Sequence, residues 1–123
     1  RNLSPTLLEN LHVSRVTDTQ KQIEILKNLE NDNFSLLIID NITDLFAFEY
    51  TKKEHLIEKN INFGNYIVKL TKLAQLKNIP IIITNQIFSH DDINYQRMHM
   101  HLENYIHQKI KLEKIKNHHT CNT

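Results

Sequence analysis

The chain has 123 residues, room for one small domain but short for a complete nucleotide-driven motor core. Its 15 Lys+Arg stand against 14 Asp+Glu, so net charge gives no sign of a nucleic-acid partner and any basic surface must be local. The single cysteine, Cys121, excludes an internal disulfide framework and suits a reducing intracellular compartment, cytoplasmic or nuclear. No apolar run approaches the roughly 20 residues of a membrane span, and the polar amino terminus has no signal-peptide core. Average usage of about 7% glycine puts roughly nine in such a chain; this one has only Gly64. A P-loop needs several glycines to wrap backbone N–H groups around a phosphate, so none lies within the chain.

Ser4-Pro5-Thr6 reads as a helix start, with serine as cap and proline at the first helical position. Leu11, Val13 and Val16 then alternate with polar residues in the manner of a strand. Thr17 and Asp18 offer caps for a second helix, with Ile23, Leu26 and Leu29 as its stripe and Asn31-Asp32-Asn33 as its stop. Leu36-Leu37-Ile38-Ile39 is an unbroken apolar run closed by Asp40, the pattern of a strand buried on both faces. From Phe46 to Asn60 charges and aromatics break the pattern. A helix resumes with Phe63, Ile67, Leu70, Leu73 and Ala74 on one stripe facing the sheet.

Pro80 opens a second buried run, Ile81-Ile82-Ile83, closed by Thr84-Asn85-Gln86. Strands alternating with helices across short links predict an α/β fold with a mainly parallel sheet, flanking helices and right-handed crossovers. Beyond it, Leu102, Tyr105, Ile106, Lys109, Ile110 and Glu113 fit a helix, whereas Ile110 and Leu112 fit a strand. No repeat or linker interrupts residues 1–116, expected as one unit, and 117–123 is expected as a frayed polar tail.

Ligands of an open parallel sheet gather outside the carboxyl ends of its strands. Asp40 and Gln86 close the two apolar runs. If these strands are neighbours, about 4.8 Å apart, both side chains can reach one phosphate group. An aspartate there suits the water shell of Mg²⁺. A neutral amide there can orient or sense a terminal phosphate. A solvated aspartate at a strand end is the ordinary alternative, and Thr-Asn-Gln closing the second run in the right order is the more specific signal.

Asp40-Asn41-Ile42-Thr43 through Thr84-Asn85-Gln86-Ile87 resembles the RecA/RadA recombinase pattern D-S-x-T … L-x-R-Q … L-x-x-L-A … T-N-Q-V, without insertion or deletion. Residues 10–16 are similar to the strand that precedes it in that family, and the likeness covers roughly residues 10–88. Phe46-Ala47-Phe48-Glu49 and Ile110 to Lys114 resemble the RadB paralogues more than the main recombinase. The resemblance implies the carboxyl-terminal part of a RecA-like P-loop NTPase core from a DNA recombination and repair ATPase. It implies ATP and Mg²⁺ as ligands of the intact protein, with Asp40 as the Walker B aspartate, holding Mg²⁺ through water, and Gln86 as the γ-phosphate sensor. Both are thus expected catalytic and nucleotide-binding residues. The P-loop and the water-activating glutamate are expected before Arg1, so tight nucleotide binding or hydrolysis by this chain alone is not expected.

The same resemblance places two DNA-binding loops, about Phe48–Asn60 and Ser89–His101. Lys53 and Lys59 are expected to approach the DNA backbone, and Tyr50 and Tyr95 to stack on bases of single-stranded DNA. A solvated mixed-charge surface is the plainer reading, because Glu49, Glu54 and Glu58 offset the lysines. The chain also departs from the pattern. Lys52 and Glu54 replace two loop glycines, Ala47 replaces an arginine, and the paired glycines after the second loop are missing.

Self-assembly or a recombinase partner fits the family, and no membrane partner is expected. Two alternatives stand beside this reading: a non-catalytic recombination mediator that uses the fold as a protein-interaction platform, modestly favoured by the lost glycines, and a helicase- or clock-type ATPase, disfavoured by Thr84-Asn85-Gln86. His99, His101, His107, His118, His119 and Cys121 lack compact zinc-ligand spacing, and Cys121 lacks the fixed base a nucleophile needs.

Overall fold

The computed structural model describes the chain over residues 4–49, 52–86, 93–115 and 118–122, with the side chains of 53, 93–97, 115 and 118–122 outside the described set. Helix α1 spans Pro5–Glu9, where the Ser4 side chain accepts the Leu7 N–H at 3.4 Å. Helix α2, Thr19–Leu29, starts at Asp18, whose carboxylate accepts the Lys21 N–H at 2.8 Å. That bond holds the Asp18 carboxyl below its ordinary range.

Strand β1 is Leu37–Ile39, followed by helix α3, Asp44–Glu49, and a 3₁₀ turn, Lys53–His55. The long helix α4, Leu56–Lys77, buries Lys59, Phe63, Tyr66, Ile67, Leu70 and Leu73, a spacing of three and four that keeps one face inward. It ends at Asn78 in the left-handed region (φ 52°), whose N–H bonds the Ala74 carbonyl. Pro80 follows at once and strand β2, Ile81–Ile83, begins.

The chain thereby returns parallel to β1, with Leu37 opposite Ile81, Ile38 opposite Ile82 and Ile39 opposite Ile83. Leu37, Ile39, Ile81 and Ile83 pack against a core of Leu26, Ile42, Phe46, Phe63, Tyr66, Ile67, Leu70 and Leu73. Within it, Phe46 meets Phe63 edge-on at 5.1 Å between centroids and lies 5.7 Å from Tyr66. Helix α5, Ile93–Glu103, closes the core with Met98 and Leu102.

Several expectations give way here. Residues 11–17 take no regular structure, and Leu11 and Val13 are exposed. Alternation alone does not make a strand; it needs a ladder partner, and no described residue supplies one. The two parallel strands are covered on one face only, with Ile38 57% and Ile82 49% exposed on the other, instead of buried on both. Helix α4 starts at Leu56, seven residues before Phe63, and takes up residues 56–60 of the segment expected as a loop. At the carboxyl end the helix reading fails beyond Leu102: α5 stops at Glu103, and Tyr105, Ile106, Lys109 and Ile110 lie outside any helix. Leu112 and Glu113 belong to strand β3, Lys111–Ile115. The expected frayed tail instead contributes strand β4, His118–Asn122, paired antiparallel to β3. A hairpin satisfies backbone groups that a frayed end would leave to water.

Candidate functional site

Parallel pairing puts the carboxyl ends of β1 and β2 side by side, so Asp40 and Thr84-Asn85-Gln86 share one edge of the sheet. The strands stay bonded past their formal ends: the Thr84 N–H donates to the Ile39 carbonyl at 3.0 Å and the Ile42 N–H to the Thr84 carbonyl at 3.1 Å. The Asp40–Asn41 peptide bond is cis. Across this junction the Thr84 hydroxyl donates to Asp40 Oδ1 at 2.6 Å. Asp40 and Gln86 are both exposed at the edge. An exposed carboxylate beside a hydroxyl, at the mouth of two strands, offers the hard oxygen donors that Mg²⁺ and its water shell favour.

Behind this edge is a buried polar link. Thr43 is 1% exposed. Its hydroxyl lies 2.6 Å from Asn85 Oδ1 and 3.1 Å from Asn41 Oδ1. A hydroxyl has one proton; the shorter contact takes it, and Asn41 Oδ1 is served by the Thr43 N–H at 2.9 Å. From α2, Gln22 Nε2 reaches the Ile42 carbonyl at 3.4 Å.

Helix α3 leaves from Thr43, whose carbonyl accepts the Ala47 N–H at 3.0 Å. At its other end Glu49 accepts the Thr19 N–H at 2.8 Å with one oxygen and the Thr19 hydroxyl at 2.5 Å with the other. A carboxylate at the start of α2 meets the positive end of that helix. Neither Thr43 nor Glu49 stands out in the sequence. Thr43 does belong to the Asp40 motif and Asn85 to the Thr84 motif, which is the signal that could have paired them.

The residues expected to meet DNA separate. Lys59 is buried on α4, 1% exposed, so it cannot serve as an exposed phosphate contact; the helical face that holds Phe63 also holds Lys59, four residues earlier. Lys53 stands in the 3₁₀ turn, and its side chain lies outside the described residues, as do Tyr50 and the Tyr95 side chain. Exposed Lys52 and Phe48, the latter 79% exposed, flank the end of α3. In the second expected loop, 89–92 lies outside the described residues, while 93–101 is helical, with Met98 buried.

Among the described residues no group of three or more His, Cys, Asp or Glu side chains could hold a metal ion. His99, Glu103 and Lys109 instead form an exposed charge cluster, with Lys109 Nζ 2.9 Å and His99 Nε2 3.0 Å from Glu103 Oε1. The Lys109 bond draws the Glu103 carboxyl below its ordinary range. No described helix is long and apolar enough to cross a membrane.

A family model described as Rad51 matches residues 3–110. Three curated proteins described as DNA repair and recombination protein RadA are similar to the chain. That of Ignicoccus hospitalis is 29% identical over 93 residues, covering 72% of this chain and 28% of the relative. That of Aeropyrum pernix is 28% identical over 93 residues, with 72% and 29% covered. That of Methanococcus voltae is 32% identical over 92 residues, with 71% and 29% covered. The chain therefore spans less than a third of the length of the curated relatives it matches.

Proposed function

From the premise that the chain belongs to the Rad51 family, with a RecA-like α/β fold, we propose that it is the part of a DNA repair and recombination ATPase that reads the nucleotide and passes its state to DNA. In this reading residues 1–116 are a portion of a RecA-fold ATPase domain, and ATP with Mg²⁺ is bound in the intact protein. Asp40 holds the water shell of the metal, which screens phosphate charge when bound. Gln86 touches the terminal phosphate through its side-chain amide. The partner is single-stranded DNA, with self-assembly along it, in the intracellular compartment that holds the DNA.

One observation carries the reading: the two strand ends are adjacent and parallel, and the Thr84 hydroxyl fastens them to Asp40 at 2.6 Å. A phosphate in front of that edge would meet an acidic residue and an amide together. A switch requires contacts that differ between nucleotide states. Gln86 lies at the junction between the edge and the residues that lead to α5, so it can make such contacts.

The test uses the intact protein, a labelled single-stranded oligonucleotide and fluorescence anisotropy with and without a non-hydrolysable ATP analogue. Gln86→Ala is expected to remove nucleotide stimulation of DNA binding while leaving nucleotide affinity nearly unchanged. Asp40→Asn is expected to weaken Mg²⁺-dependent nucleotide binding itself. Full stimulation in Gln86→Ala would refute the sensor role.

A further inference from the structure

We propose that Thr43 and Asn85 are positioning residues that couple the nucleotide state at Gln86 to helix α3 and the segment beyond it; this rests on the assignment of Gln86 as the phosphate sensor. Asn85 is the chain neighbour of Gln86, and its side-chain oxygen lies 2.6 Å from the hydroxyl of Thr43, 42 residues away in sequence. Thr43 is 1% exposed, so water cannot readily replace that bond. The same residue starts α3, because its carbonyl receives the Ala47 N–H at 3.0 Å. A displacement of the strand end at Asn85 is thus delivered directly to the first turn of α3.

Helix α3 is built to carry it. Phe46, at its middle, is fully buried and packs on Phe63 and Tyr66 at 5.1 and 5.7 Å. Glu49, at its end, grips the start of α2 through the Thr19 N–H and hydroxyl. A six-residue helix fastened at both ends and packed in between moves as a body. Just beyond Glu49 come Lys52 and the 3₁₀ turn, the first segment assigned to DNA. The relay therefore leads from the nucleotide edge through α3 toward that segment, separate from the chain that leads from Gln86 to α5.

Threonine suits the position on two counts: its methyl fills buried space and its hydroxyl reaches Asn85. Thr43→Val keeps the shape and removes the hydroxyl, whereas Thr43→Ser keeps the hydroxyl. Asn85→Ala removes the same bond from the half-buried side and decides the matter if Thr43→Val does not fold. All three are compared with the wild type and Gln86→Ala in the intact protein, measuring oligonucleotide anisotropy with and without the ATP analogue and, separately, affinity for a fluorescent ATP.

Coupling between such sites commonly amounts to about fivefold or more in affinity. Thr43→Val and Asn85→Ala are expected to bring the stimulation ratio down to about one, with nucleotide affinity within roughly threefold of wild type. Thr43→Ser is expected to restore most of the ratio. Wild-type stimulation in Thr43→Val or Asn85→Ala would overturn the relay alone, provided Gln86→Ala abolishes stimulation. Parallel loss of nucleotide affinity, or no rescue by serine, would overturn it in favour of a merely structural bond. No stimulation in the wild type, or full stimulation in Gln86→Ala, would overturn the sensor reading and the relay with it.

Discussion

Gly64→Ala should make the protein more stable, and the reasons lie in the geometry of α4 and α5. Gly64 sits in the interior of the 22-residue helix α4, and its φ is not positive, so alanine adopts the same backbone. An added methyl carbon would stand 3.5 Å from the Cε1 and Nδ1 atoms of His101 on α5, an ordinary contact distance. The His101 ring also meets Phe63 edge-on at 6.4 Å, which fixes it over the glycine. Alanine exceeds glycine by about 0.8–1.0 kcal/mol in a helix interior, chiefly because the unfolded chain loses freedom. Two new atom contacts add about 0.2–0.4 kcal/mol. The sum, about 1 kcal/mol, corresponds to a rise of about 4 °C in Tm for a domain of this size. Urea titration and thermal melting followed by circular dichroism would measure it. A lower midpoint, at unchanged cooperativity, would refute the reasoning, because it would mean that α5 approaches α4 too closely at His101 to admit a methyl group.

The chain by itself should bind ATP·Mg²⁺ very weakly, since it contains no P-loop; a micromolar Kd by calorimetry, about 8 kcal/mol of binding, would contradict this. In the intact protein Lys53→Ala should flatten the salt dependence of single-stranded DNA affinity by roughly 0.7 in slope. Lys59→Ala should leave that slope unchanged and instead lower the unfolding midpoint, because the side chain belongs to the core face of α4; equal slopes for both variants would reverse the assignment. The Asp18 carboxyl is held below its ordinary value of 3.8 by the Lys21 N–H, so its capping stabilisation is present above that value and is lost as pH falls through the folded-state pKa. Asp18→Ala should therefore lower the melting temperature at neutral pH and shrink the difference from wild type in acid, as read from melts across an acidic pH series.

What could be read from sequence was whatever depends on neighbours along the chain. Ser4-Pro5 and Asp18 act as caps because a cap needs only residues two or three positions away. The edge at Asp40 and Gln86 was legible because each apolar run ends where its strand does, and a helix of crossover length lies between. Lys59 was misjudged as a surface lysine amid charges. Yet extending the stripe of Phe63, Ile67 and Leu70 one turn backwards reaches it, so the error was in starting the helix too late. The Thr43–Asn85 bond could be traced only through the two motifs that hold these residues, since two small polar side chains by themselves name no partner across 42 residues. Residues 10–16 matched a family strand in pattern but take no strand conformation, because pairing is settled by a neighbour and not by alternation.

The missing glycines and the inward Lys59 bear on the same question. Lysine and glutamate at 52 and 54 favour helix over the open loop that glycines permit, and the segment accordingly folds into a 3₁₀ turn running directly into α4. With Lys59 withdrawn into the core, Lys52 and Lys53 are the other lysines of residues 48–60, and in the reading proposed above they would be the ones to meet phosphates. Two contacts to a single strand give a salt slope of only about 1.4, too small for charge alone to make binding tight at physiological ionic strength. In the reading proposed above, a segment whose charges largely cancel would influence DNA binding mainly through where it is held. Helix α3 sets that position, fastened at Thr43 to the strand end beside Gln86 and at Glu49 to the start of α2. If the proposed sensor and relay are right, the segment expected to meet DNA is a part positioned by the nucleotide edge, and the loss of loop glycines favours that mode because it removes the freedom that would otherwise absorb the movement of α3.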